Sequence, residues 1–159
     1  MALALMLLVG SITTSAGAED GRLSRNALPA PLLSLLETLR PAAQARDIRP
    51  FIDHVSPSFE VLFDSGGGTS PDKNAFANFS YVFGFSYPAP EDGSSHPGWD
   101  SLSKFLSGGS FQQVKGAICT PYYPPEVSIW DRTRLCFEQS PVQNRYGGWQ
   151  ISLFAFIAH

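Results

Sequence analysis

Residues 58–70 read SFEVLFDSGGGTS, a strand signal that ends in three consecutive glycines. Phe59, Val61 and Phe63 occupy every second position, which is the spacing of one face of a half-buried strand. A run of glycines favours a tight turn with positive φ angles and does not extend a strand. We therefore predict a strand over residues 58–64 that ends in a glycine turn.

The apolar residues followed by Asp64, Ser65 and Gly66 also read like the catalytic loop of aspartic peptidases. That chemistry requires two carboxylates that share a proton, so a chain of this size would have to form a dimer. In that family a second strand, two hydrophobic residues followed by glycine, supports the catalytic loop. The one nearby counterpart here, residues 82–84, lies too close to Asp64 in the sequence and has a helical pattern. We interpret Asp64 as a cap of the turn. A serine-hydrolase elbow is not matched either, because residues 84–88 lack its final glycine.

Helical spacing of apolar side chains recurs on both sides of this strand. Leu32, Leu35, Leu36 and Leu39 form one apolar stripe. Pro41 should kink or restart that helix. Beyond the glycines, Ser70 followed by proline and aspartate is a typical helix start. The four predicted helices cover residues 31–46, 48–55, 71–84 and 97–106.

The last third of the chain reads as strands separated by turn residues. The predicted strands cover residues 111–120, interrupted at Gly116, then 127–138 and 149–158. An order of two helices, a strand, two helices and three strands is typical of an α+β arrangement. We predict N-terminal helices packed on a curved, mainly antiparallel sheet of about four strands, with two further helices in the middle.

The N-terminal residues 1–18 read as a signal peptide, with an apolar run followed by small residues ahead of Glu19. The first basic residue is Arg22, whereas a signal peptide ordinarily begins with a positive charge, and a buried N-terminal helix is the alternative. We predict a flexible segment over residues 19–29 and one globular domain over residues 30–159, in a periplasmic or secreted protein.

The charge pattern bears on the possible partners of this domain. The net charge is −3 and no segment forms a basic run, which argues against a nucleic-acid partner. No segment after the signal peptide is long and apolar enough to predict a membrane span. We expect a small ligand or an envelope protein as the partner, predict no cofactor, and leave the oligomeric state open.

Cys119 and Cys136 are the two cysteines of the chain. They fall on predicted neighbouring strands, and an exported chain meets an oxidising compartment, so we predict a disulfide between them. Two buried free thiols are the alternative. A metal site is not predicted because no further cysteine or histidine lies at ligand spacing, and a bonded cysteine cannot act as a nucleophile.

Two groups of residues are candidates for a functional site. Asp53 and His54 could supply acid–base chemistry, although neighbouring residues on a helix do not face each other. The alternative for His54 is a surface histidine near a helix end. Tyr122 and Tyr123, which stand between prolines, and Trp99 could contact a carbohydrate or peptide, whereas most aromatic residues at regular spacing are core.

Two phrases in the sequence resemble nuclear-transport-factor-like (cystatin-like cone) domains. Residues 51–59, FIDHVSPSF, resemble the helix end that leads into the first strand of that family, and residues 147–151, GGWQI, resemble the opening of its last strand. Residues 99–109 and 119–122 are similar to segments of uncharacterised exported bacterial proteins. The chain departs from the cone pattern in having fewer predicted strands and two helices in the middle.

The resemblance implies a fold that hosts isomerases, dehydratases and pure binding modules. Enzymes of this family place acids and histidines inside the cone, whereas the strand positions assigned to the interior here are apolar: Phe59, Val61, Phe63, Ile151 and Leu153. Our hypothesis is an exported, non-catalytic binding or envelope-associated domain. The alternative is a cone-fold enzyme with acid–base chemistry at Asp53 and His54.

Overall fold

The structure is a computed structural model that describes residues 21–63, 74–83, 85, 98–127, 133–142 and 144–156. The predicted signal peptide, the glycine turn with Asp64 and the Ser70 helix start lie outside these residues. The helices are α1 (Ala30–Gln44), α2 (Arg49–Ile52), α3 (Ala75–Val82) and α4 (Gly98–Leu106). The strands are β1 (Arg22–Ser24), β2 (Val55–Phe63), β3 (Ser110–Val114), β4 (Ala117–Thr120), β5 (Arg134–Gln139) and β6 (Trp149–Phe156).

All the described strands belong to one sheet in the order β1-β3-β4-β5-β6-β2. Strands β3 to β6 follow one another as antiparallel neighbours, and β1 is antiparallel to β3. The exception is β2, which pairs with β6 in parallel. The predicted α+β class is therefore confirmed, with a mixed sheet that is mainly antiparallel.

The predicted number of about four strands is wrong, because the sheet has six strands within the described residues alone. The predicted strand over residues 111–120 is in fact the β3–β4 hairpin. Lys115 and Gly116 have φ angles of 47° and 89°, and two consecutive positive φ angles are those of a tight hairpin turn. The other additional strand, β1, lies within the segment 19–29 that the sequence predicts to be flexible. Its residue Leu23 stands opposite Phe111 of β3.

The N-terminal helix follows its predicted stripe and, of the two predicted effects of Pro41, does not show the restart. The buried residues of α1 include Leu32, Leu35, Leu36 and Leu39, as the spacing indicates. The helix runs through Pro41 to Gln44 and does not restart. Proline removes one helical donor, and buried Leu39 and Ala43 hold the helix against the core on either side of it.

Two helix boundaries differ from the predictions because other interactions take over the backbone. The helix predicted over residues 48–55 ends at Ile52, since Val55 already pairs with Ile151 of β6. The β2–β6 register shifts between Val55 and Glu60, and this irregular part contains Pro57, which cannot donate to a sheet ladder. Helix α3 begins after Asn74, whose side chain caps it.

The core is built around phenylalanine and leucine. Phe79 of α3 is fully buried, and its ring centroid lies 5.7 Å from that of Phe51, 5.6 Å from that of Phe59 and 5.0 Å from that of Phe83. Such pairs add to the transfer free energy of burial, which is about 1.5–3 kcal/mol per large apolar side chain. The positions predicted to face inward agree for Phe59, Val61 and Ile151, whereas Leu153 is half-buried. The side chain of Phe63 lies outside the described part.

The predicted disulfide between Cys119 and Cys136 is present. The two residues are direct cross-strand partners in the β4–β5 register, so the covalent bond joins the two middle strands of the sheet. Both side chains are buried. The bond closes a segment with a sequence separation of 17 residues.

Candidate functional site

The predicted contact residues Tyr122 and Tyr123 follow β4 on a segment that is tied back to β3. The Thr120–Pro121 peptide bond is cis. The Tyr122 backbone N–H donates to Oγ of Ser110 at 3.4 Å, and the Tyr123 N–H donates to Oε1 of Gln112 at 3.3 Å. Two consecutive residues are therefore fixed against the same strand.

Tyr123 has a structural role in this segment. Its hydroxyl group donates to the carbonyl oxygen of Thr133 at 2.8 Å, just before β5 begins. A phenol in a partly buried position usually finds such a partner. The ring of Tyr123 therefore bridges from the segment after β4 to the start of β5, which leaves its hydroxyl already engaged.

Tyr122 instead presents its ring beside a cation. The side chain is half-buried, and the Arg22 guanidinium carbon lies 5.5 Å from the centroid of the ring. This distance falls within the range of a cation–π interaction, which contributes roughly 0.5–1 kcal/mol at exposed sites. Arg22 belongs to β1 and stands opposite Gln112 in the β1–β3 register. We call Arg22, Tyr122 and Tyr123 the Tyr122 surface.

Trp99 lies in a different part of the molecule. Its ring stacks on Phe85 with centroids 3.7 Å apart, and it meets Phe51 edge-on at 6.0 Å. Trp99 is half-buried and packs against the hydrophobic core. The structure therefore brings the two tyrosines together, while the tryptophan belongs to the helical layer.

Asp53 and His54 occupy the junction between α2 and β2, where they have opposite environments. Asp53 is exposed, whereas the His54 side chain is buried and 5% accessible. The interpretation of His54 as a surface histidine is therefore wrong. The reason is that the chain turns into β2 at this point, and the His54 carbonyl oxygen accepts the Ile151 N–H at 2.8 Å.

The imidazole of His54 packs against the edge of Tyr146, with ring centroids 5.0 Å apart. Its Nδ1 atom is buried and makes no hydrogen bond. Burial and the nearby Arg145 guanidinium lower the pKa of His54 below its ordinary value, and the Asp53 carboxylate and a hydrogen bond with the Asp53 backbone oppose them in part. The ring is therefore held neutral at physiological pH, and it is enclosed rather than presented to a substrate.

The sequence identified the two tyrosines and His54 as candidates, but not the residues that contact their rings or influence their charge. Arg22, Arg145 and Tyr146 come from other elements, and their positions follow from the β1–β3 pairing and from the turn before β6. The two consecutive glycines at 147 and 148 are the sequence feature that could have predicted the turn that carries Arg145 and Tyr146.

The described residues give no sign of a metal centre or of a membrane span. Among them, no three His, Cys, Asp or Glu side chains gather in a way that could hold a metal ion. None of the helices in the described ranges is both long enough and apolar enough to cross a membrane.

Comparisons with protein-family models, with curated proteins and with solved structures find no match for this chain. The resemblance to nuclear-transport-factor-like domains therefore rests on the two short sequence phrases and stays a prediction.

Proposed function

We propose that this chain is an exported binding domain without catalytic chemistry, and that it contacts a small ligand or an envelope protein through the Tyr122 surface. The observation that carries the proposal is the fixed presentation of Tyr122. Its backbone and that of Tyr123 are hydrogen-bonded to β3, so little conformational entropy remains to be lost on binding. Tyrosine and arginine are also two of the residue types that are enriched at the energetic hot spots of binding interfaces.

Export is supported by the disulfide in the middle of the sheet. Cys119 and Cys136 are bonded within the described chain, and structural disulfides persist in oxidising compartments. The signal peptide over residues 1–18 belongs to this proposal. Mass spectrometry of the protein from the producing cells tests it. We expect a mature chain that begins at Glu19 and lacks two hydrogens, whereas a chain with Met1 and two free thiols would contradict export.

The alternative of acid–base catalysis by Asp53 and His54 has less support. A general base must come within hydrogen-bonding distance of the proton that it removes. The His54 ring is covered by Tyr146, and Asp53 is exposed beside it. Catalysis at this junction would require the covering turn to move.

The contact surface is tested with a Tyr122→Ala variant on arrays of immobilised oligosaccharides and peptides. We expect at least a tenfold loss of affinity for whichever probe the unmodified protein binds, which corresponds to about 1.4 kcal/mol. Tyr81→Ala is the matched control, because Tyr81 is an exposed tyrosine on α3. Equal affinity of the Tyr122→Ala variant and the unmodified protein would exclude this surface. No binding to either array would count against a carbohydrate or peptide ligand.

A further inference from the structure

The turn between β5 and β6 is built as a compact unit around Asn144. The side-chain oxygen of Asn144 accepts the N–H groups of Tyr146 at 2.8 Å and Gly148 at 3.0 Å, and its amide donates to the Trp149 carbonyl at 3.3 Å. The Gly148 carbonyl in turn accepts the Ser140 N–H at 2.9 Å. We call residues 144–148 the Asn144 turn. Its internal hydrogen bonds allow it to keep its shape if its contacts with other elements change.

The side chain of Tyr146 connects the Asn144 turn to two other elements, and Gln139 Nε2 also donates to the Gly147 carbonyl at 2.6 Å. The Tyr146 hydroxyl donates to Oγ1 of Thr38 on α1 at 2.8 Å, and Thr38 itself donates to the Ser34 carbonyl at 3.0 Å. The ring of Tyr146 meets the His54 imidazole edge-on. One residue thus joins the turn to α1 and to the start of β2.

The contact between Tyr146 and His54 favours the neutral imidazole. The protonated ring carries an N–H on both nitrogens, and Nδ1 is buried and makes no hydrogen bond. A buried donor without a partner is destabilising. The new charge would also face the Arg145 guanidinium, which already lies 4.8 Å from the Tyr146 ring centroid.

The charged and titratable groups on the surrounding elements do not relieve this cost. Asp53 is the acid that favours the protonated ring, but it is exposed to solvent and its effect is smaller than those of burial and Arg145. Strand β6 carries no ionisable side chain. Other described groups on these elements include Tyr146 on the turn and Glu60 on β2, which is exposed. Asp47 and Arg49 around α2 form an ion pair with each other, and Glu37 and Arg40 on α1 act on Arg25.

We propose that His54 is an acid-sensitive latch: protonation of its buried imidazole releases the Asn144 turn from α1 and from the start of β2. The folded form binds the proton less readily than the open form, so stability of the docked turn is complete above about pH 6.5, the ordinary pKa of histidine, and falls as the pH decreases below it. A single group can change the opening equilibrium by at most about tenfold per pH unit. This latch is independent of the proposed ligand, because Tyr122 lies near the opposite edge of the sheet.

The latch is tested first by an NMR titration of the three histidines in the purified full chain. We expect the His54 ring to titrate below about pH 6.5, and an Arg145→Gln variant to raise its pKa because a repulsive charge is removed. A His54 pKa at or above the ordinary value, or no change in the variant, would overturn the proposal.

Hydrogen exchange then measures the release itself. The reporter is the amide of Ile151, which donates to the carbonyl oxygen of His54. We expect its protection to fall by up to about tenfold per pH unit on acidification, while the amides of Gly148, which is bonded within the turn, and of the β3–β4 hairpin keep theirs. The His54→Gln variant should abolish this pH dependence of protection. Protection that is independent of pH, or a pH dependence that persists in His54→Gln, would contradict a latch at this residue. Should that variant fail to fold, the Arg145→Gln titration decides.

Discussion

Gly148 shows how one residue without a side chain permits the end of the sheet to form. Its φ angle is 84°, in the left-handed region that favours glycine. A Cβ atom there would also collide with the backbone oxygen of Ser140 and approach the Val142 oxygen at 3.3 Å. Both oxygens belong to the backbone, so the collision could be relieved only by moving the chain that carries the Asn144 turn.

We predict that Gly148→Ala lowers the free energy of unfolding by about 3 kcal/mol, the sum of backbone strain and of the displacement that the collision forces. Urea denaturation measures the change. Gly116→Ala is the matched control, since Gly116 has a similar φ of 89° and nothing within 4 Å of an added Cβ. It should cost only about 1 kcal/mol. Equal losses for the two variants would show that the collision has no effect.

At the scale of elements, helix α3 is capped by Asn74 and not by Ser70, the helix start predicted from the sequence. The side chain of Asn74 accepts the N–H groups of Phe76 at 3.0 Å and Ala77 at 3.1 Å. These are two of the first N–H groups of a helix, which have no partner within it. Because α3 carries Phe79 into the centre of the core, the stability of its first turn affects the packing of the sheet.

Replacing Asn74 by alanine should lower the free energy of unfolding by about 1 kcal/mol, the usual effect of losing such a cap. The expected change in melting temperature is about 3 °C for a domain of this size, as measured by circular dichroism. Asn74→Asp keeps an acceptor at the same position and should remain within a few tenths of a kcal/mol of the original protein. If the alanine and aspartate variants were equally stable, the cap would not contribute.

The sequence predicted those helices and strands that are long enough for their apolar residues to repeat at a recognisable spacing. The stripe of α1 and the Phe76–Phe79–Phe83 spacing both lie in the core, as their spacing indicates. Strand β1, with three residues, is too short to show a period. The β3–β4 hairpin was read as one strand because Lys115–Gly116 is not one of the asparagine or aspartate turns that normally mark a hairpin.

The candidate site could be predicted from the sequence only where an individual residue departed from the pattern of its neighbours. Tyr122 and Tyr123 stood out because they break any period and are enclosed by prolines. Arg22 and Tyr146 did not, since their roles depend on pairings between distant parts of the chain. Burial of His54 follows from the position of β2 beside β6, which local patterns do not specify.

At the scale of the whole molecule, the disulfide fastens β4 to β5 and stabilises the sheet from its middle. In the chain-entropy description, a bond that closes a segment of this length removes conformational freedom from the unfolded chain. The strands on either side of the bond, β3 and β6, are then held next to a pair that cannot separate. The two tyrosines of the Tyr122 surface follow shortly after β4 and benefit from the same constraint.

We expect the double variant Cys119→Ser/Cys136→Ser to lose about 3 kcal/mol of the free energy of unfolding. Chemical denaturation of the oxidised protein and of the double variant measures this difference. A reducing agent should bring the original protein to a similar stability and leave the variant unchanged. A loss well below about 1 kcal/mol would mean that the strand pairing alone holds β4 and β5 together.

The parallel pairing of β2 with β6 has a consequence for biosynthesis. In the sheet order of the described strands, β2 has β6 as its single neighbour, yet β6 is synthesised long after β2. Contacts between such distant segments form slowly, because a long loop must close before they contribute. The pairing of β2 therefore cannot be completed until β6 has been synthesised, and until then this edge of the sheet lacks its parallel partner.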